Sequence, residues 1–106
     1  MKRFPAAMIC LAVLATPVPL AAGETCGWYI VLGCARSEAV MERKRAIIAA
    51  LSDDGTTRAK VVRTEDYPNF RDGWHCLVDG PFESREAAEA VDWGETVGET
   101  YVKRGC

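Results

Sequence analysis

The chain has a single histidine, no surplus of basic side chains and no unbroken apolar run of membrane-spanning length. Its 13 Lys and Arg stand against 15 Asp and Glu, a formal net charge of −2, so the basic footprint of a nucleic-acid binder is missing. No two of its five cysteines are closely spaced, and with one His the spacings match no common zinc pattern. No pair of carboxylates falls at a fixed spacing on a rigid element, which leaves a glycosidase unsupported. At 106 residues there is room for one domain, which rules out multidomain enzymes and polytopic membrane proteins. What is present is a 49% hydrophobic, 26% charged composition, too apolar for a disordered chain.

The N-terminus carries Lys2 and Arg3, then an apolar stretch through Met8, Ile9, Leu11, Val13 and Leu14, then Leu20-Ala21-Ala22. That is the order of a secretory signal peptide over residues 1–22, and Pro17 and Pro19 interrupt the run. The alternative is an uncleaved N-terminal anchor. Cleavage after Ala22 removes two of the 13 basic residues, leaving 11 against 15 acidic ones, a net charge of −4. The expectation is an exported domain over 23–106, with no stable membrane insertion after cleavage.

Export gives the cysteines their meaning. Cys26, Cys34, Cys76 and Cys106 remain, an even set that reads as a disulfide framework with three possible connectivities. No metal and no cofactor is expected.

The hydrophobic pattern orders the elements. Trp28-Tyr29-Ile30-Val31-Leu32 is a β-branched and aromatic run ending at Gly33, a buried strand. Ser37 caps a helix from Glu38 to about Leu51, with Val40, Ile47 and Leu51 on one face and Met41 and Ile48 beside them. A second strand covers 59–64. A Pro- and Gly-bearing loop follows over 65–73, then a third strand over 74–78, broken at Gly80-Pro81. Ser84 caps a second helix with Ala87, Ala88 and Val91 inward, weakened by Gly94 and Gly98, and 101–103 forms a last strand. The order β-α-β-β-α-β predicts an α+β fold: a split βαββαβ, ferredoxin-like four-stranded antiparallel sheet with two helices on one face. The other face is expected to be open to a ligand.

The two halves echo one another. Tyr29-Ile30-Val31-Leu32-Gly33 and His75-Cys76-Leu77-Val78-Asp79-Gly80-Pro81-Phe82 are each a strand ending in Gly before a Ser-capped, Ala-bearing helix, and the chain closes with Thr100-Tyr101-Val102-Lys103. This pattern resembles the SPOR (sporulation-related repeat) family over about Gly27 to Arg104, most specifically in Gly80-Pro81-Phe82-Glu83-Ser84. The resemblance implies a ferredoxin-like domain that binds septal peptidoglycan, preferring glycan strands stripped of stem peptides, as a lone adaptor in a bacterial periplasm. It implies a glycan face made of Tyr29, Val31, Phe70, His75, Val78, Tyr101 and Lys103, with Tyr29 and Tyr101 as sugar-stacking platforms. Val31 stands where the family often has Gln, and Cys76 and Val78 stand where it often has Arg.

The implied topology also pairs the cysteines. With the first strand between the third and fourth, Cys26 meets Cys106 and Cys34 meets Cys76. Strict alternation turns Cys34 to the helix face and Cys76 to the open face, so the second bridge requires a bulge or turn at Gly33.

Other features read more plainly. His75 and Cys76 are adjacent on a strand and point to opposite faces, which removes a nucleophile–base pair. Arg43-Lys44-Arg45 is a solvated helix face rather than an anion site. Tyr67, Phe70 and Trp74 form either a packed cap over the sheet edge or a sugar-contacting rim. Trp28 and Trp93 belong to the core. Two function classes remain. One is a non-catalytic module for peptidoglycan glycan strands. The other is a disulfide-stabilised protein-interaction module that uses an apolar sheet face toward envelope proteins. Neither is an enzyme.

Overall fold

A computed structural model describes residues 26–94 and 97–106; the signal segment expected at 1–22 lies outside the described residues. Its elements are β1 (Trp28–Ala35), α1 (Glu38–Leu51), β2 (Lys60–Arg63), a 3-10 turn (Thr64–Asp66), β3 (His75–Phe82), α2 (Arg85–Glu89) and β4 (Tyr101–Arg104). The strands form one sheet in the order β2-β3-β1-β4, each neighbouring pair antiparallel. This is the split βαββαβ arrangement of an α+β fold.

Both helices start where a serine can cap them. Ser37 Oγ accepts from the Val40 amide at 3.4 Å, and Ser84 Oγ accepts from the Ala87 amide at 3.0 Å, each satisfying an amide that the first turn leaves unpaired. The inward face of α1 differs from the one its apolar residues suggest. Met41 and Ala49 are buried and Ile48 packs on the core, while Val40, Ile47 and Leu51 face outward. The helix carries two apolar stripes about 100° apart, and the sheet below covers one of them. The second helix is shorter than its sequence suggests and ends at Glu89, with Ala88 buried, Ala87 exposed and Val91 already beyond the helix. The helix-side core joins Ile30, Leu32 and Leu77 of the sheet to Met41 and Ala88.

Two irregularities offset β1 against β3. Pairing runs Ile30–Asp79 and Val31–Val78 in the middle, but Trp28–Phe82 at one end and Gly33–Leu77, Cys34–Cys76 at the other. One extra residue therefore sits on β3 near Gly80-Pro81 and one on β1 near Leu32-Gly33, the geometry of a β-bulge. Instead of breaking at Gly80-Pro81, β3 takes up the cis Gly80–Pro81 peptide and runs on to Phe82. Gly80 has φ +144°, and a Cβ there would lie 2.7 Å from the Trp28 carbonyl oxygen. Gly33 serves differently, since its φ is not positive. A Cβ would sit 2.9 Å from Lys44 Nζ, and that ammonium donates to the Leu32 carbonyl at 2.7 Å. The missing side chain is the room through which Lys44 reaches the bulge.

The sheet face away from the helices is not open. Segment 64–74 crosses it as a strap. At its base Thr64 Oγ1 donates to the Trp74 carbonyl (3.1 Å) and accepts from the Trp74 amide (3.0 Å), while the Thr64 amide also donates to the Trp74 carbonyl (3.0 Å). At its tip Asn69 Nδ2 donates to the Arg104 carbonyl (3.1 Å) and the Asn69 amide to that of Gly105 (3.2 Å). The strap thus starts at the β2–β3 edge and is fastened beyond β4 on the opposite edge. Beneath it lies a second core of Tyr29, Val31, Tyr67, Phe70, Cys76 and Val78. Tyr29 is 0% exposed and meets the Tyr67 ring edge-on at 5.3 Å and the Phe70 ring edge-on at 6.5 Å between centroids, a favoured aromatic geometry. Of the two readings of Tyr67, Phe70 and Trp74, the packed cap describes Tyr67 and Phe70, and it spans the face as well as the edge.

Candidate functional site

Where the strap ends, the same face keeps a groove of about 330 Å³. Its floor is the Cys34–Cys76 disulfide and Thr64. Its walls are Phe70 and Trp74 from the strap with Tyr101 from β4, and Arg71 and Lys103 stand at its rim. Tyr101 is opposite Val31 and Lys103 opposite Tyr29 in the β1–β4 ladder, so both share the strap side of the sheet. Tyr101 is 56% exposed. Lys103 Nζ lies 5.6 Å from the centre of the Phe70 ring, and the Arg36 guanidinium lies 4.1 Å from that of Trp74 while donating to the Gly73 carbonyl at 3.2 Å, cation–π distances that steady both rings. An exposed phenol and a half-buried indole beside two cationic donors can stack on the C–H face of a ring and hydrogen-bond its oxygens.

The structure divides the residues expected at the glycan face. Phe70, Tyr101 and Lys103 come together at the groove. Tyr29, Val31 and Val78 do not: they are buried under the strap, whose aromatic side chains occupy the apolar sheet face. His75 also lies elsewhere. Trp74, Cys76 and Val78 face the strap core, so alternation turns His75 to the other side, where Nδ1 is 3.2 Å from the Arg36 carbonyl oxygen. Trp74 takes the rim position that is one of its two expected places, while Arg71 and Thr64 are groove residues that the sequence does not point to. Arg71 and Thr64 carry no signal, because a strap crossing the sheet has no periodicity.

The cysteines pair as the topology implied, Cys26 with Cys106 and Cys34 with Cys76. The bulge at Leu32-Gly33 turns Cys34 to the strap side, directly opposite Cys76 with Cα atoms 4.0 Å apart. Cys26–Cys106 joins the chain ahead of β1 to the chain after β4, alongside the Gly105 amide donating to the Gly27 carbonyl at 2.8 Å. Among the described residues no helix is long and apolar enough to cross a membrane, and no group of three or more His, Cys, Asp or Glu side chains is placed to hold a metal ion. No protein family, curated protein or solved structure matches the chain in comparisons with known proteins.

Proposed function

We propose that the exported domain binds peptidoglycan glycan strands without catalysis, in the groove at the end of the strap, and acts in the bacterial cell envelope. The observation that carries this reading is the convergence of Tyr101, Trp74 and Phe70 with Arg71 and Lys103 on one groove. Aromatic faces offer apolar area to the C–H surfaces of sugars, and cationic donors suit their hydroxyl and carboxyl oxygens. The SPOR resemblance points to the same ligand. It differs in placement, because the contact surface shifts from the strand centre to the rim formed by β4 and the strap.

The test is co-sedimentation of the oxidised, exported protein with sacculi, intact and amidase-stripped. The expected result is enrichment on stripped sacculi, lost in Tyr101→Ala and Trp74→Ala. Equal failure on both preparations would overturn the reading. Tyr29→Ala does not serve as a binding test, since Tyr29 lies under the strap.

A further inference from the structure

The helix layer carries a second concavity, larger than the strap-side groove. It measures about 620 Å³ and lies between α1 and the chain that follows α2. Its apolar lining includes Val40, Ile47 and Leu51, exposed by 43, 55 and 67%, with Val91, Trp93 and Val97 opposite. The cause is local. Helix α2 stops at Glu89, and the chain beyond it is not helical at 90–94, so among the described residues no second helix of matching length lies along the outer stripe of α1. From Val40 to Leu51 that stripe runs about 16 Å, three turns of helix at 1.5 Å per residue.

The far wall is held in place. Asp79 is buried on the helix side of β3, accepts from Trp93 Nε1 at 3.0 Å and pairs with Arg58 Nε at 2.8 Å. That hydrogen bond and the carboxylate charge raise the Arg58 pKa above its ordinary value, so the guanidinium stays charged. The charges bordering the concavity are uneven. Among the described residues Arg43, Lys44 and Arg58 line it with Asp92. Arg58 is matched by Asp79, the Lys44 ammonium is held by the Leu32 carbonyl and Asp92 is engaged by the Gly94 amide at 2.8 Å, so among these residues Arg43 is the cation left to face an incoming segment. This positive border belongs to a domain whose net charge without residues 1–22 is −4, 11 basic against 15 acidic side chains.

We infer that this concavity docks an amphipathic helical segment of a partner protein, about three turns long, with large apolar residues on one face and acidic residues along its flank. The apolar stripe supplies the burial, and the missing length of α2 supplies the space for a helix beside α1. Arg43 at the border favours acidic flanks over basic ones. The surface lies on the opposite side of the sheet from the Tyr101 groove, and the inference does not rest on glycan binding.

A random-peptide display library selected against the oxidised, exported protein tests it, with affinities then measured on the synthetic peptides that emerge. Selected peptides should place large apolar residues at helical spacing and carry an excess of Asp and Glu. Ile47→Asp, at an exposed position, should weaken them about tenfold or more, the loss of one anchoring contact. Arg43→Glu should weaken them too, with recovery when a flanking Glu of the peptide becomes Lys. Tyr101→Ala should leave peptide binding unchanged, and Ile47→Asp should leave sacculus binding unchanged, so each site can fail alone. Selection of no peptide, of peptides without an acidic bias, or of peptides insensitive to Ile47→Asp would overturn the inference. So would sedimentation showing a dimer that Ile47→Asp dissociates, which would make a second copy the occupant.

Discussion

The Trp93 indole donates to the buried carboxylate of Asp79 at 3.0 Å, tying the chain after α2 to the middle of the sheet. Replacing Asp79 by Ala leaves that indole N–H without its acceptor, which costs about 1–3 kcal/mol. The ion pair itself adds little, because the Arg58 side chain is largely exposed. The expected outcome is a lower urea midpoint and a red shift in tryptophan emission as the wall of the helix-side concavity loosens.

Tyr29 and Tyr101 lie on the same side of neighbouring strands, yet their truncations should differ sharply. Tyr29→Ala empties the centre of the strap core and should destabilise by about 3–5 kcal/mol, as for other large aromatic truncations. Tyr101→Ala, on the surface, should stay within about 0.5 kcal/mol of the parent while losing sacculus binding. Urea unfolding of both variants checks the contrast, and similar destabilisation in the two would argue against the strap.

The two bulge glycines make an unequal pair. Gly80→Ala sets a methyl group against the Trp28 carbonyl at a positive φ and should destabilise by on the order of 1–3 kcal/mol from backbone strain alone. At Gly33 the obstacle is the end of the flexible Lys44 side chain, so Gly33→Ala should be milder. Thermal melts of the two variants measure the difference.

The disulfides close chain separations of 80 and 42 residues. Loop-closure entropy gives each about 4 kcal/mol, less any strain in the native state. Removing either pair as a double Cys→Ala variant should therefore lower stability by up to that amount, read by urea unfolding under non-reducing conditions. No change in either variant would show that the bridges do not restrict the unfolded chain.

Much of the fold is legible in the sequence because it rests on local signals. Ser37 and Ser84 mark helix starts, and strand-sized apolar runs mark β1 and β3. The choice between the two stripes of α1 is not local: Met41 and Ile48 repeat as well as Val40 and Ile47 do, and only the sheet decides which set is covered. The strap is harder still. Tyr67, Pro68, Asn69 and Phe70 have no period, and their role depends on Asn69 reaching the far edge at Arg104 and Gly105. That is why Tyr29, Val31 and Val78 read as ligand contacts and prove to be core. His75 yields to a rule already visible in the sequence: the alternation that separates it from Cys76 also removes it from the groove.

The bulge at Leu32-Gly33 makes the Cys34–Cys76 bond a test of parity. Without the extra residue, Val31–Val78 pairing would set Cys34 against His75 and turn it toward the helices, out of reach of its partner. A covalent link between these two sulfurs therefore admits the bulged alignment and rejects the straight one. A chain oxidised at this pair before its sheet is complete already holds the information about which side each residue of β1 must take.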